Sequence, residues 1–368
     1  MALATHRLRA GTNDEEGSMI GNNEKTGRWV RSGVRSLALA AAGLVIGAAA
    51  TQAATITVSV WGGGYGAKWK KHAAEPFEKA TGHKVIVDGG RSAVRLSKVK
   101  ATKGKGTDVV FLTVHQMIIL RDEGILAPID PANVPNVSQL YDFAKDPMGG
   151  GMCPAITVLG VGLAYNKDHF KSPPTSWNDL FRKDLKGRPG YPVLSQSYSP
   201  LVMTRIAELN GGGIDDIGKG MAKLATIKDR VQLFRIFEIL KAINQGDASI
   251  APMLNIFVRK DPKVPLSFAW PKDGGVGVVN LACVTKASKN KKVAEQFLNF
   301  YLSAEHQARI AKEAGDSPVN KTVPIPKGTV YNMVTPDQIS RMHHYDATKV
   351  AAKLAGWLKR FQEEIVAK

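Results

Sequence analysis

The chain has 368 residues, of which 44% are hydrophobic and 22% are charged, and its formal net charge is +18. This length and apolar content are ordinary for a globular protein and allow two lobes, each with a core. A positive excess suits nucleic acid or an anionic membrane, but the lysines are spread along the chain without an arginine-rich tract or aromatic-basic alternation. A solvated basic surface is therefore favoured over a nucleic-acid partner, and a cationic surface protein stays as an alternative.

The N-terminal region has the pattern of a secretory signal peptide. A basic segment, residues 25–35, runs into the small and apolar residues 36–50, and Thr51 and Ala53 suit the small-residue cleavage rule. The apolar run is short for a membrane span. We predict a signal peptide over residues 1–53, cut near Ala53, and an exported periplasmic protein; Met19 is an alternative start.

The segment after the predicted cut, "VSVWGGGYGAKW", poses the first functional choice. Gly62, Gly64 and Ala67 fit the G-x-G-x-x-A variant of the dinucleotide fingerprint, and Asp88 stands where a ribose-binding acid is expected. The same glycines also suit any loop in which the backbone comes close to a ligand. A dinucleotide-binding oxidoreductase is therefore one alternative.

Strand-like and helical segments alternate along the chain, which predicts an α/β protein. The predicted strands are "TITVSV", "KVIVD", "DVVFLT", "YPVLS" and "ASIAPM". The predicted helices include residues 67–82, ending at Gly82, residues 92–104, residues 230–246, ending at Gly246, and most of the C-terminal tail.

Common catalytic and metal motifs are missing from the sequence. We find no G-x-S-x-G, no H-E-x-x-H and no pair of C-x-x-C motifs. The run "RMHHYD" holds the metal-capable side chains of His343, His344, Tyr345 and Asp346, but adjacent histidines on a helix project in different directions. We therefore predict no enzyme activity, no metal and no cofactor.

An ordered set of short motifs resembles a known family. The motifs are "PFEKATGHKV", "DVVFLT", "EGILAPID", "GLAYNKD", "PPTSWNDLFRKDLKGRPG", "FAWPKDGG" and "KASKNKKVAEQFLNFYLSAEHQ". In this order they resemble periplasmic solute-binding proteins of ABC importers (extracellular solute-binding protein family 1), in the branch for spermidine and putrescine.

The resemblance implies a two-lobed type II periplasmic binding protein fold of class α/β, with a cleft between the lobes. Such a protein traps a small solute by hinge closure and delivers it to a permease in the inner membrane. It acts without chemistry, and we expect a monomer. The lobe boundaries that follow are residues 54–157 with 281–320, and residues 158–280 with 321–368.

Within that fold, the candidate ligand-binding residues follow strands whose ends face the cleft. Those of the first lobe are Trp61, Tyr65, Arg91, Ser92, Thr113 and His115; those of the second lobe and the crossing strand are Ser197, Tyr198, Asn255 and Asn280. Each residue alone also suits a core, capping or surface role. Their shared position after strands whose ends face the cleft is what favours ligand binding.

The sequence departs from the polyamine-binding pattern at two positions that bear on the class of ligand. Polyamine binders of this branch have an aromatic residue and an acid after a "WPKEGG"-like turn, where this chain has Val278 and Asn280. Arg91 and the helix N-termini favour an anion or a zwitterion over a dication. A polyamine remains the alternative, because Asp88 could hold an amine.

The two cysteines, Cys153 and Cys283, are placed by the resemblance on neighbouring, oppositely running strands. Export permits a disulfide between them. Two buried free thiols are the other possibility.

Overall fold

The computed structural model describes residues 53–367, so the predicted signal peptide falls outside the described residues except for its last position. The strands are β1 (Thr55–Trp61), β2 (Lys84–Gly90), β3 (Val109–Thr113), β4 (Leu126–Ala127), β5 (Ala155–Asn166), β6 (Arg188–Pro192), β7 (Gln232–Phe234), β8 (Ala248–Leu254), β9 (Leu266–Ala269) and β10 (Val276–Thr285).

Helices connect many of these strands and form most of the C-terminal region. They are α1 (Gly63–Trp69), α2 (Glu75–Thr81), α3 (Ser92–Ala101), α4 (Val114–Asp122), α5 (Asp142–Lys145), α6 (Ser199–Glu208), α7 (Gly218–Ala225), α8 (Ile236–Gln245), α9 (Lys291–Leu302), α10 (Ala304–Ala314), α11 (Pro336–Arg341) and α12 (Ala347–Phe361). Within residues 53–367, none of the helices has the length and apolar character needed to cross a bilayer.

The strands described in residues 53–367 form one mixed sheet, in the order β2–β1–β3–β10–β5–β8–β6–β7, with β4 on β10 and β9 on β5. β1 runs parallel to β2 and β3, whereas β10 is antiparallel to both β3 and β5. The carboxyl ends of β1 and β2 therefore meet at one edge, and the loops that follow them lie side by side. The predicted α/β fold class is confirmed.

Strands β5 and β10 pass through two hydrophobic cores. In β5, Val158 belongs to the first core and Leu159 to the second; in β10, Leu281 belongs to the first and Val278 to the second. The register between β5 and β10 shifts between Asn280 and Leu281, at the same boundary. The two strands therefore carry the connection between the cores, which is where a hinge is expected.

The predicted lobe boundary at residue 321 is not matched by the packing that follows it. Val334 and Met342 pack in the first core, whereas Val350 and Trp357 of α12 pack in the second. These contacts favour a return to the second core after Met342. The division into lobes remains a prediction; the change of core falls between Val158 and Leu159 in β5 and between Val278 and Val279 in β10, within two residues of the predicted boundaries.

The helix predicted over residues 230–246 is wrong in its first part. Gln232–Phe234 form β7, which pairs in parallel with β6, and the backbone stays extended at Arg235 before α8 begins. Pairing with the neighbouring strand outweighs the helical periodicity of this short stretch. The predicted ends are confirmed: Gly82 and Gly246 both adopt the left-handed conformation directly after a helix.

Cys153 and Cys283 form a disulfide with a Cα–Cα distance of 4.9 Å, so the thiol alternative is set aside. Cys283 lies on β10, but Cys153 precedes the first residue of β5 rather than lying on it. Both cysteines are buried in the first core. The bond therefore fixes the segment that enters β5 against β10. It lies at the end of the two crossing strands that packs in the first core.

Candidate functional site

A cavity of about 1,020 Å³ lies between segments that pack on the two cores. Its floor is formed by one face of the crossing strands, where Leu159 of β5 stands opposite Val278 of β10. Loops and helix starts from both sides form its walls. A volume of this size suits a small organic ligand.

One side of the cavity, here called the first wall, consists of Trp61, Tyr65, Arg91, Ser92 and Asp316. The carboxyl end of β1 and the segments that follow β1 and β2 supply most of it, because these parallel strands pair up to Trp61 and Gly90. The glycine run permits a close backbone approach: a Cβ on Gly62 would lie 3.1 Å from the backbone nitrogen of Gly90, and one on Gly66 would lie 2.7 Å from the carbonyl oxygen of Trp61. Backbone packing therefore explains Gly62 and Gly66, whereas an added Cβ on Gly63 or Gly64 would meet nothing within 4 Å, and both line the cavity.

The side chains of the first wall hold one another in place. The Trp61 indole Nε1 donates to Ser92 Oγ at 2.8 Å, and the Tyr65 hydroxyl donates to Asp316 Oδ2 at 2.8 Å. The two rings meet edge to face, with centroids 5.9 Å apart. A continuous chain of contacts therefore joins the start of α3 to the Asp316 carboxylate.

Arg95 supports this wall from below. Its guanidinium carbon lies 5.0 Å from the centroid of the Trp61 ring, and its nitrogens donate to the carbonyl oxygens of Gly90, Ser59 and Phe111 at 2.6–3.1 Å. Arg95 is only 2% exposed, and burial lowers its pKa to about 10. The side chain ties together the ends of β1, β2 and β3, so it has a structural role under the cavity.

The opposite side, here called the second wall, consists of Arg235, Ile236, Phe237, Ile256 and Phe257. Phe237 is 72% exposed and meets Phe257 edge to face, with centroids 5.7 Å apart. Ile256 is buried in the second core. This wall is largely apolar.

The charged side chains around the cavity are mostly basic. They are Lys68, Arg91, Arg235, Arg259 and, with the opposite sign, Asp316. The Lys68 ammonium donates to the Tyr331 hydroxyl at 2.9 Å, and the Arg259 guanidinium lies over the Tyr331 ring at 5.3 Å. The net charge of the described lining is therefore positive, which favours anionic ligands.

Only part of the predicted binding set reaches the cavity. The predicted residues that line it are Trp61, Tyr65, Arg91, Ser92, Ser197 and Asn280. Ser92 is the first residue of α3, and Arg91 is the N-cap of that helix. Whether these residues bind ligand remains a prediction.

Thr113 and His115 do not line this cavity. The Thr113 hydroxyl bonds to the Gln116 side chain at 3.0 Å. His115 lines a separate cavity of about 340 Å³ on the other face of β10, together with Gly277, Val279 and His344. Burial lowers the His115 pKa to about 4, so this ring is neutral. The prediction placed both residues by the strand end. Thr113 ends β3 and is buried, and α4 begins directly after it, so that His115 faces the smaller cavity.

Tyr198 and Asn255 are also placed elsewhere than predicted. Tyr198 is fully buried in the second core. The Asn255 side chain accepts from the Gly160 backbone at 2.9 Å and donates to the Asn332 carbonyl at 2.7 Å, so it links three chain segments. These positions follow from the direction of each side chain at its strand end, which sequence spacing leaves open.

Sequence reasoning missed Asp316, the one carboxylate among the described residues that line the cavity. It follows Gly315, which ends α10 in the left-handed conformation. In the sequence it reads as an ordinary polar loop residue after a helix. The only local signal was Gly315, the glycine that ends the helix. It predicts where the chain turns but not which surface the next side chain faces.

The other metal-capable side chains noted in the sequence do not form a metal site. Within residues 53–367, no group of three or more histidine, cysteine or acidic side chains is arranged to hold an ion. His344 lies in the smaller cavity, where burial lowers its pKa. The Tyr345 hydroxyl donates to the Glu208 carboxylate at 2.9 Å.

Comparison with protein families gives one match that spans most of the chain. The sequence pattern of the family described as bacterial extracellular solute-binding protein matches residues 109–341. This range contains β3 to β10 and the crossing strands.

Individual relatives are more distant. The spermidine/putrescine-binding periplasmic protein of Escherichia coli is 25% identical over 256 residues, covering 66% of this chain and 72% of that protein. The gamma-aminobutyric acid-binding protein of Pseudomonas aeruginosa is 24% identical, covering 76% of this chain and 81% of that protein. The crystal structure of an ABC transporter protein from Clostridium perfringens has a TM-score of 0.72 at 24% identity, covering 84% of this chain and 99% of that one, and so shares the fold. Both relatives are named for the solute that they bind.

Proposed function

The chain belongs to the bacterial extracellular solute-binding protein family, and from this premise we propose that it captures a small polar anion or zwitterion and delivers it to an ABC permease in the inner membrane. In this proposal residues 1–53 are a signal peptide and the mature chain is a periplasmic monomer. Its two lobes close over the ligand by rotation at β5 and β10. The protein performs no chemistry and needs no cofactor.

The start of α3 at the first wall is the observation that best supports an anionic or zwitterionic ligand. Arg91, the N-cap, is exposed at the cavity, and the first turn of α3 has neither an acidic residue nor a side-chain cap. The free backbone N–H groups and the positive end of the helix dipole attract an anion. A carboxylate or phosphonate can also take a bidentate pair from the guanidinium.

A polyamine is the second candidate, because of the names of several relatives and because of Asp316. A diamine at neutral pH has two ammonium groups, and each favours a carboxylate in a buried site. Among the described cavity residues Asp316 is the one carboxylate, whereas Arg91, Arg235 and Arg259 repel cations. The balance of charge therefore supports an anion or zwitterion.

A dinucleotide enzyme is supported less by the geometry. Asp88, the expected ribose-binding acid, lies outside the cavity lining and pairs with Lys98 at 2.9 Å. Gly62, the first position of the fingerprint, packs against the backbone of Gly89 and Gly90. The position of Asp88 and the packing of Gly62 both disfavour a nucleotide cradle.

A thermal-shift screen tests the proposal. Organic acids, amino acids, phosphonates, polyamines and NAD are each added to the purified mature chain, and small-angle scattering follows any ligand that raises the melting temperature. We expect an anion or zwitterion to stabilise the protein and to reduce its radius of gyration. Stabilisation by polyamines alone would support the second candidate, and stabilisation by NAD would support an enzyme.

A further inference from the structure

Asp316 is unusual among the cavity residues because it is acidic and almost completely buried. Its residue exposure is 2%, and one carboxylate oxygen accepts the Tyr65 hydroxyl at 2.8 Å. Buried carboxylates normally have a cation or several hydrogen-bond donors near them. Asp316 faces a cavity and has one side-chain donor.

A cation from the protein does not compensate this charge. Among residues 53–367, no lysine, arginine or histidine nitrogen forms a salt bridge with Asp316 within 4.0 Å. Lys68 lines the same cavity, but its ammonium donates to the Tyr331 hydroxyl and to the Glu313 carbonyl. The carboxylate is therefore available to a charge that enters the cavity.

A second acceptor lies across the cavity floor. Asn280 is 5% exposed and lines the cavity, and its Oδ1 atom is buried without a hydrogen-bond partner. Asn280 pairs with Thr157 on one side of β5, and Ser317 bridges to Val158 on the other side. The Asn280 amide and the Asp316 carboxylate thus come from segments that flank the same stretch of β5.

We propose that Asp316, Asn280 and Tyr65 form the binding site for a protonated amine, so that the ligand is a zwitterion with its ammonium at Asp316 and its anionic group at Arg91 and the start of α3. This inference rests on the proposed function and narrows its ligand class. The two ends are joined by the Trp61 and Tyr65 rings, which form an aromatic surface for the carbon chain between the charged groups.

The protonation of Asp316 should make the affinity for an amine depend on pH. Burial raises its pKa to about 6, and the neighbouring tyrosines, Tyr65 of α1 and Tyr301 of α9, have pKa values raised well above 10 and stay neutral. Lys68 is the charged group of the same lining on α1. Because an ammonium favours the ionised carboxylate, its affinity should fall as the pH falls through about 6.

Three probes of matched length test the charge at each end: 4-aminobutanoate, pentanedioate and 1,4-diaminobutane. Calorimetry with the wild-type chain should give the tightest binding for 4-aminobutanoate, because it alone offers one ammonium and one carboxylate. Equal or tighter binding of pentanedioate would overturn the amine site while the proposed function stands. Tighter binding of 1,4-diaminobutane would overturn the zwitterion and restore the polyamine.

Two variants locate the ammonium. Asp316→Asn keeps an acceptor for the Tyr65 hydroxyl but removes the charge, and it should weaken 4-aminobutanoate about ten-fold or more, the scale of a lost charged hydrogen bond. The same variant should leave pentanedioate unchanged or tighter. Asp88→Asn is the matched control, because that acid lies outside the lining, and it should change neither affinity.

The outcomes separate this inference from the proposed function. An Asp316→Asn variant that binds 4-aminobutanoate as tightly as the wild type does, or that loses both probes equally, would overturn the amine site. A loss confined to 4-aminobutanoate, together with its weakening below about pH 6 in the wild type, would support it. If none of the three probes binds at millimolar concentration, the amine site is overturned, and stabilisation by another anion in the broader screen would leave the proposed function standing.

Discussion

The two walls of the cavity are built in different ways. In the first wall, the Trp61 indole is bonded to Ser92 and the Tyr65 hydroxyl to Asp316, and Arg95 holds the strand ends below. In the second wall, Ile236, Phe237 and Phe257 present apolar surface, and the Phe237 side chain is mostly exposed.

This difference assigns different tasks to the two sides. Polar side chains that are already fixed lose little entropy when a ligand arrives, so the first wall suits recognition. Exposed apolar side chains gain contacts only when something covers them, so the second wall suits closure over a ligand that is already held. The walls should therefore respond differently to substitution.

The largest expected effect is on the stability of the first core, on which the first wall is built. The disulfide between Cys153 and Cys283 joins segments 130 residues apart in the first core. Removing it with Cys153→Ala and Cys283→Ala should lower the free energy of unfolding by about 2–5 kcal/mol, the usual range for a native disulfide. Urea titrations of both proteins, with and without reductant, measure the difference.

The control for this experiment is a thiol count. The wild-type chain in denaturant without reductant should show no reactive thiol, and reductant should release both. Two reactive thiols before reduction would contradict the bond. An unchanged urea midpoint after reduction would show that the stability of the first core does not depend on the bond.

The smallest expected effect is at the second wall. Phe237→Ala removes a side chain that is 72% exposed in the open cavity, so the stability of the free protein should hardly change. Ligand affinity should fall by about 1 kcal/mol, the scale of partial burial of an apolar side chain on closure. Calorimetry with the ligand that ranks highest in the screen measures it.

Ile86→Ala is the matched control for Phe237→Ala. Ile86 is also apolar and exposed, at 55%, but it lies on β2 away from the cavity lining. It should leave affinity unchanged. Equal behaviour of the two variants would mean that the second wall takes no part in covering the ligand.

The sequence was sufficient for the elements whose signal is local. The β-branched run of β1 and the glycines after α2 and α8 gave strands and helix ends in the right places, because backbone preference acts within a few residues. The first residues of the predicted helix 230–246 failed because β7 is stabilised by β6, which is distant in sequence.

The site could be predicted only in outline. Arg91 and Ser92 follow β2 closely, so the meeting of parallel strand ends placed them at the cavity. Tyr198, the N-cap of α6, is buried in the second core, and Asp316 is brought to the first wall by the bridge between its neighbour Ser317 and Val158 of β5. Side-chain direction and contacts between distant segments decide whether such residues reach the cavity. The spacing of residues along the sequence predicts neither.

The most direct test of the division between the walls compares two equivalent arginines. Arg91 and Arg235 are both exposed N-caps of helices with ten residues, both have an extended backbone, and both line the cavity. They differ in setting: the first turn of α3 has no acid, whereas in α8 the Glu238 carboxylate accepts the backbone N–H of Arg235 at 3.1 Å. The start of α8 is thus already partly neutralised.

Calorimetry with one anionic or zwitterionic ligand on Arg91→Ala and Arg235→Ala measures this difference. We predict that Arg91→Ala costs about 2 kcal/mol or more of binding free energy, which is the scale of a lost charged hydrogen bond. Arg235→Ala should cost clearly less. Equal losses in the two variants, or a larger loss in Arg235→Ala, would contradict the assignment of recognition to the first wall.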